Sequence, residues 1–203
     1  MQARNGTNER IRTFSEQARR AQIVSAAITT IAADGYRNAS LAQIAKRAGL
    51  SSTGLISYHF AGKDELIGEV VRTIVADIGG YMAGRMAGAR GAAGALRAYI
   101  EGNIDFIATH PEQMKALMDI FLGGGFAYGA ASENTAVSPL EDIFRSGQAA
   151  GELRNFDPAV MAILVQRAVD GLPFLLGIRP DLDVAAYKRE VVMTFDLATR
   201  AQR

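Results

Sequence analysis

Apolar residues recur every three to four positions along most of the chain, which is the spacing of amphipathic α-helices. In the first such segment, which starts at Glu16, residues Ile23, Ala27 and Ile31 lie four positions apart and share one face. Gly35 suits the end of this helix, because glycine adopts a left-handed backbone conformation without steric cost. No strand-like alternation is long enough to compete with this pattern. The sequence therefore predicts an all-α fold.

A capping box marks the start of a second helix. Ser40 and Gln43 have the spacing at which a serine hydroxyl accepts the third backbone N–H of a helix while the glutamine side chain bonds back to the cap. This helix is predicted over residues 41–48, and Gly49 permits a tight turn after it. Ser51 is then expected to cap a third, short helix.

Capping and breaking residues divide the remainder of the chain into further helices. The long fourth helix carries acids in its first turn, where the helix dipole favours negative charge. The third helix is predicted to end near Phe60, and the fourth to start at 62–65. A glycine- and alanine-rich connector at 88–94 is followed by helices at 95–109 and 112–122 and by a loose segment at 126–137. Three further helices are predicted: one opened by Ser138 and Pro139 that ends near Gly151, one from Pro158 to about Gly177, and a last one, capped by Asp183, over 184–201.

Residues 41–58 meet the steric requirements of a helix-turn-helix. Two short helices that cross closely need a small side chain at the contact, which Ala45 supplies, and the turn needs Gly49. Four apolar residues are expected to hold both helices against the first one: Ile44, Ala48, Leu50 and Leu55. The outer face of the third helix keeps small groups that can approach base edges and phosphates, namely Ser52, Thr53, Gly54 and Ser57.

This stretch resembles the TetR family of bacterial regulators over roughly residues 18–75. The resemblance is carried by Ile23, Ala27, Gly35 and Tyr36, by Ser40, Leu41, Ile44, Ala45, Ala48, Gly49, Leu50 and Ser51, and by the runs 55–60 and 63–66. The run 56–60 is similar to that of a subset related to choline-responsive regulators, from which no ligand is inferred. The resemblance implies that the third helix is the recognition helix, that Lys63 contacts phosphate, and that DNA contacts come from Ser51, Ser52, Thr53, Ser57, Tyr58 and His59.

One departure from the family pattern affects these assignments. The family usually places nine residues between the turn glycine and the aromatic residue before the fourth helix, whereas ten separate Gly49 from Phe60. The additional residue is expected either in the turn, at 51–52, or at the end of the third helix. The side chains that face the groove are therefore defined to within one position.

Four of these residues also have a purely structural interpretation. Tyr58 and His59 could pack in the small core instead of contacting phosphate. Ser51 could act mainly as a helix cap. Lys63 could be a solvated lysine, although a cation at a helix start opposes the helix dipole, which favours a functional reason for it.

Charge and composition narrow the class of protein. The net charge is +1, but residues 1–63 contain nine Lys and Arg and three acids, while the rest of the chain has an acidic excess. A basic N-terminal part on an acidic body is typical of a DNA-binding module, and also of a solvated basic surface. The chain has no Cys and two His, so no cofactor or metal is expected. We predict a flexible basic arm at 1–15, a helix-turn-helix domain at 16–62, and a ligand-binding and dimerisation domain at 63–203.

The apolar helix from Pro158 is predicted to form a homodimer. Its apolar residues occupy more than one face, which fits burial by its own subunit on one side and by a partner on the other. The alternative is a central core helix in a monomer. Gln166, Arg167 and Asp170 within it argue against a membrane span, and no signal peptide precedes the chain.

A small-molecule effector is expected to bind between the middle helices, as ligands do in helical bundles. Methionine and aromatic side chains suit an irregular apolar pocket, although such residues at helical spacing are usually ordinary core. The candidates are Met82, Met86, Tyr99, Phe106, Met114, Met118, Phe121, Phe126, Tyr128 and Phe174.

Taken together, the sequence predicts a cytoplasmic DNA-binding regulator. The expected form is a homodimeric repressor that a small apolar or aromatic ligand releases from a double-stranded DNA operator. No nucleophile elbow, phosphate-binding loop or metal spacing supports an enzyme. Two alternatives stay open: an architectural DNA-binding protein without a ligand response, and a ligand-binding helical protein whose DNA-binding head is vestigial.

Overall fold

The computed structural model describes residues 14–126 and 130–201, with the backbone alone for 130–136. These residues form an all-α fold, as predicted, and outside the helices they contain one isolated β-bridge, between Leu153 and Arg200. The helices are α1 (Phe14–Asp34), α2 (Leu41–Arg47), α3 (Gly54–His59), α4 (Lys63–Met86), α5 (Gly91–Thr109), α6 (Pro111–Leu122), α7 (Ala130–Ala149), α8 (Pro158–Asp170), α9 (Leu172–Ile178) and α10 (Val184–Thr199). We call α1–α3 the head and α5–α10 the body. Residues 1–13 of the predicted basic arm lie outside the described residues.

The apolar stripe of α1 forms the centre of the head. Ile23, Ala27 and Ile31 are fully buried, and α1 packs against α2, α4 and α6. The helix ends as predicted, with Gly35 at φ 82° and its N–H bonded to the Ile31 carbonyl 2.9 Å away. Because α1 touches both the other head helices and α6 of the body, it lies between the two parts of the molecule.

The predicted capping box opens α2. Gln43 N donates to Ser40 Oγ at 3.2 Å, and Ser40 N donates to Gln43 Oε1 at 2.8 Å. The turn after α2 also forms as expected, because Gly49 has φ 66° and Leu50 N bonds back to the Ala45 carbonyl at 2.9 Å. The cap and the turn of this part of the helix-turn-helix are therefore features that the local sequence predicts.

Two predictions for the third helix are wrong. Ser51 does not cap it: the residue at the cap position is Thr53, which has a helical backbone and makes no side-chain cap hydrogen bond. Leu55 does not hold the helix against α1 either, since 40% of this residue is exposed. The buried apolar residue of the helix is Ile56, of which 1% is exposed. Helix α3 thus starts two residues later than a Ser51 cap would place it.

The helix boundaries in the body differ from the prediction at three places. The predicted connector at 88–94 contains the start of α5 at Gly91, because Glu152 Oε2 accepts from Ala92 N at 2.6 Å and caps the helix from a distant part of the chain. The loose segment at 126–137 is also wrong, since α7 begins at Ala130. Pro139 lies inside α7 rather than opening it; buried Val137 and Leu140 anchor the helix on either side, while proline removes one backbone donor.

The apolar segment after Pro158 is two helices, α8 and α9, which meet at Gly171. Among the described residues, Pro158–Ile178 is the one stretch long and apolar enough to cross a membrane by length and composition, with a mean hydropathy of 1.6. Much of this surface is uncovered in the single chain. Its exposed large apolar residues are Val160, Ile163, Leu164, Phe174 and Ile178, and α10 adds Met193 and Leu197.

Candidate nucleic-acid interface

The outer face of α3 and of the connection before it is polar and exposed. The residues that the sequence predicts at DNA are exposed here in most cases: Ser51, Ser52, Thr53, Ser57 and Tyr58. The inner face is anchored by Ile56 and Phe60, each 1% exposed. A short helix held by two apolar anchors, with hydroxyl groups turned to solvent, has the shape and chemistry that major-groove recognition requires.

The structure of this segment bears on where the additional residue between Gly49 and Phe60 lies. Helix α3 has regular hydrogen bonds, from Ser57 N to the Thr53 carbonyl at 3.1 Å and from Phe60 N to the Ile56 carbonyl at 2.9 Å. Because the end of α3 closes directly onto buried Phe60, the added residue lies in the connection 50–53 and not at the end of the helix.

The buried side chain of Arg20, in α1, holds the end of α3 in place. Its side chain is 9% exposed, and its guanidinium lies 4.0 Å from the centre of the Phe60 ring. It donates to the His59 carbonyl, which would otherwise be an open acceptor at the helix end. It also bonds to Glu69 Oε2 of α4 at 3.2 Å. One buried cation thereby joins α1, α3 and α4.

Tyr58 and His59 stand at the end of the recognition helix, near the start of α1. The Tyr58 side chain is 64% exposed, so it is not a core residue, and its hydroxyl donates to Glu16 Oε1 at 3.4 Å. The two rings meet edge to face with their centres 5.0 Å apart. His59 is half-buried. Both side chains are therefore accessible to a backbone phosphate beside α3.

Lys63, the first residue of α4, has two partners in the head. Its Nζ donates to the Tyr36 carbonyl at 3.2 Å and lies 4.8 Å from the centre of the Tyr36 ring. The carbonyl and the ring offset the unfavourable position of a cation at a helix start. Glu65 Oε2 accepts from Ala61 N at 2.6 Å and satisfies a backbone donor at this helix start.

Sequence reasoning missed two residues of this region, Arg20 and Tyr36. Arg20 lies three positions before Ile23, on the apolar stripe of α1, and a charged residue inside an apolar stripe is a detectable signal of a buried ion pair. Tyr36 was included only as part of the family pattern. Its contacts with Lys63 and with the turn after α6 depend on tertiary packing, so no local sequence pattern predicts them.

The predicted effector residues lie on α4, α5, α6 and α9. Tyr99 and Phe106 are buried, with the Tyr99 hydroxyl donating to Gln166 Oε1 at 2.7 Å. Phe174 is 48% exposed on α9, and Tyr128 lies outside the described residues. Met114 is buried, and the remaining candidates are half-buried or partly exposed: Met82, Met86, Met118, Phe121 and Phe126.

The candidates do not line either of two clefts found among the described residues. A cleft of about 610 Å³ lies between α1, α4 and α6, and one of about 460 Å³ lies between α5 and α7. In the same part of the chain, no three acidic or histidine side chains are grouped so that they could hold a metal ion.

The N-terminal helices match a known DNA-binding domain. A family model described as "Bacterial regulatory proteins, tetR family" matches residues 23–70, which run from the middle of α1 into α4. A protein named HTH-type transcriptional regulator BetI 1, from Chromohalobacter salexigens, is 41% identical over 98 residues, which are 48% of this chain and 48% of that protein. The chain thus spans about half the length of the curated relatives that it matches.

The similarity of fold extends over most of the chain. A TetR-family transcriptional regulator from Rhodococcus sp. has a TM-score of 0.75 at 25% identity, and the match covers 89% of this chain and 98% of that one. A transcriptional regulator from Saccharomonospora viridis in complex with choline has a TM-score of 0.80 and covers 92% and 100% of the two chains. At 18% identity the latter likeness shows the fold alone.

A short exposed helix on a helix-turn-helix, joined through α4 to a helical body, places the described residues in the helix-turn-helix class of fold. The family model, the curated relatives and the solved structures agree on one family within that class. Residues 23–70 match the TetR family of bacterial regulatory proteins, and the chain as a whole is similar in fold to a solved structure of that family.

Proposed function

We propose that this chain regulates transcription by binding a DNA operator through α3. The observation that carries the proposal is the exposed polar face of α3, supported from inside by Ile56, Phe60 and Arg20. In residues 1–63 basic side chains outnumber acids nine to three, which favours association with the phosphate backbone. The division into a DNA-binding domain at 16–62 and a second domain from 63 onward is part of the proposal.

The DNA contacts divide by chemistry. The small side chains of Ser51, Ser52, Thr53 and Ser57 are assigned to the groove, where hydroxyl groups can bond to base edges. Three other side chains, at the end of α3 and the start of α4, are assigned to phosphate: Tyr58, His59 and Lys63. Support comes from the exposure of the first group and from the position of the second beside it.

A homodimer is the proposed active form. Val160, Ile163 and Leu164 form one exposed apolar face of α8, at the helical spacing of three and four residues. Helix α10 contacts the end of α8 near its own start, where the Tyr187 hydroxyl donates to the Ala168 carbonyl at 2.6 Å, and it exposes Met193. Covering these faces with a second copy removes apolar surface from water and presents two α3 helices to two half-sites, about 34 Å apart.

The proposed regulation is repression relieved by a small apolar or aromatic molecule bound in the body. The molecule and the operator would favour different separations of the two heads, so each would weaken binding of the other by the same factor. The side chains proposed to contact the molecule are the methionine and aromatic residues predicted from the sequence, which do not line either of the two clefts described above. The cytoplasm is the compartment in which such a protein meets DNA.

The experiment is selection of duplexes from a random pool by the purified full-length protein, followed by fluorescence anisotropy with the enriched duplex. We expect a pseudo-palindromic site, with affinity that falls steeply as salt increases. A panel of apolar and aromatic metabolites, with choline included because a protein of the same fold binds it, is then tested for release of the duplex.

The alternatives give different results in the same experiment. An architectural DNA-binding protein would bind duplexes with little sequence preference and would not respond to any compound. A protein with a vestigial head would bind compounds and enrich no duplex. Either result would replace the proposed function.

A further inference from the structure

The turn at the end of α6 lies directly against Tyr36 of the head. A methyl group at Gly125 would overlap the Tyr36 ring and lie 2.7 Å from its hydroxyl oxygen, and one at Gly123 would overlap the same ring. Between them, Gly124 has φ 75°, a conformation that favours glycine. These three consecutive glycines therefore let the backbone of the body approach one aromatic ring of the head more closely than any side chain would permit.

Tyr36 also contacts Lys63. The Lys63 ammonium lies 4.8 Å from the centre of the ring and donates to the backbone carbonyl of the same tyrosine at 3.2 Å. Gly35, with its left-handed backbone, sets the place of Tyr36 at the end of α1. The ring thus contacts both the glycine turn of the body and the cation at the start of α4.

The turn moves with α6, because backbone hydrogen bonds join the two. Gly123 N donates to the Asp119 carbonyl at 2.9 Å, and Gly125 N donates to the Ile120 carbonyl at 2.9 Å. The same helix carries Met118 and Phe121, two of the predicted effector residues. A shift of α6 caused by an effector would therefore change the support of the Tyr36 ring.

We propose that Tyr36 is a positioning residue for Lys63, and that the 123–125 turn of the body controls it. The proposal rests on the proposed function, in which Lys63 contacts a DNA phosphate. With the turn seated on the ring, the ammonium is held at the start of α4. When the turn is displaced, Tyr36 and the cation bound to it lose that fixed position, and the phosphate contact weakens.

The test uses Gly125→Ala in the full-length protein, with Gly84→Ala as the matched control. Gly84 lies in α4, and a methyl group there would meet nothing within 4 Å. We expect Gly125→Ala to weaken binding of the enriched duplex about five-fold, and to add nothing when Lys63→Gln is already present, because the two changes act on one contact. The control variant should bind like the parent.

Tyr36→Leu gives a second variant, which keeps an apolar side chain but removes the ring face. It should weaken DNA binding to a similar extent, again without effect in the Lys63→Gln background. Thermal unfolding of each variant separates loss of the fold from loss of the contact. If Gly125→Ala and Tyr36→Leu bind like the parent, or if either weakens binding equally with and without Lys63→Gln, the proposal is wrong.

A measurement without DNA separates this proposal from the proposed function. The ring current of Tyr36 should shift the Lys63 ε-methylene proton resonances, and Gly125→Ala should move them toward ordinary lysine values while Gly84→Ala leaves them in place. If the protein binds no duplex but shows this shift, the proposed regulatory function is wrong, while the coupling between the turn, the Tyr36 ring and Lys63 is supported. An unshifted resonance in the parent protein would contradict the coupling itself.

Discussion

Individual side chains in this protein act mostly by joining elements that lie far apart in sequence. Arg20 is the central example, since it is buried and bonds to the His59 carbonyl and to Glu69. A buried guanidinium is tolerated because its hydrogen bonds and its contact with the Phe60 ring offset the loss of hydration. The end of α3 is thus held in place by a buried residue of α1.

At the residue scale, Thr53 and Lys63 should have different roles in binding. Lys63→Gln is expected to weaken binding to all duplexes and to reduce the salt slope by about one, because it removes one phosphate contact. Thr53→Ala should leave that slope unchanged and alter the preferred bases. Anisotropy titrations at several salt concentrations, with the enriched duplex and single-base variants of it, make the comparison. Equal salt slopes for parent and Lys63→Gln would contradict the assignment.

Glu69 should make stability depend on pH. The hydrogen bond from Arg72 lowers the pKa of this carboxylate below its usual 4.5, with Arg20 adding to the effect. Because the pKa is lower in the folded state, the stabilisation is present above the unfolded-state pKa and is lost as pH falls through the folded-state pKa. Glu69→Gln should therefore lower the free energy of unfolding by about 1 kcal/mol at pH 7 and have little effect in strong acid.

Urea unfolding of this variant at pH 7 and at pH 3 tests the prediction. Glu190→Gln, at an exposed site on α10, is the control and should differ little from the parent at either pH. A constant difference between Glu69→Gln and the parent across this range would contradict the ionic origin of the effect.

Individual elements show where local sequence suffices and where it does not. The capping box of α2 and the glycine ends of α1 and α2 are local features, and the prediction from the sequence is confirmed there. Helix α5 begins earlier than its own residues indicate, because Glu152, sixty residues away, caps it. Helix α7 continues through Pro139 for a similar reason, since burial of its neighbours outweighs the lost hydrogen bond.

The candidate interface shows the same division. Its exposed hydroxyl groups could be predicted from the pattern of small polar residues after Gly49. The partners of Lys63 and the role of Arg20 could not, because they depend on how α1, α4 and α6 pack. The effector residues are the least determined part, since apolar side chains at helical spacing serve a core and a pocket equally well.

At the element scale, the two serines near the turn should differ in their effect on stability. Ser40→Ala removes the cap of α2 and should lower the free energy of unfolding by about 1 kcal/mol. Ser51→Ala, where no cap exists, should change stability by less than half of that. Chemical denaturation of both variants tests this difference, and equal losses would show that the capping box does not stabilise the head.

At the scale of the whole molecule, the head packs against the body through α1 and α6. Two hydrogen bonds join α1 to α6. The Thr29 hydroxyl donates to Glu112 Oε2 at 3.2 Å, and the Lys115 ammonium donates to the Ala32 carbonyl. The head therefore packs directly against the body and is not connected to it by a linker alone. We therefore expect a change in the body that moves α6 to reach α1 and, through Arg20, the end of α3.

Dimerisation is the prediction that belongs to this scale. Leu164→Glu places a charge on the exposed apolar face of α8, where burial against a second copy would be costly. Light scattering should then give a mass near 21.7 kDa, that of one chain, in place of twice that value. Val75→Glu, at an exposed apolar site on α4, is the control and should stay dimeric. A monomeric parent protein would contradict the two-head arrangement.

The central claim is that the exposed face of α3 binds DNA, and Ser57→Glu tests it most directly. The glutamate adds a negative charge to that face, opposite the phosphates, and we expect at least a ten-fold loss of affinity for the enriched duplex, about 1.4 kcal/mol, with thermal unfolding unchanged. Ser138→Glu, on an exposed site of α7, should bind like the parent. Equal affinity of the two variants for DNA would contradict the account.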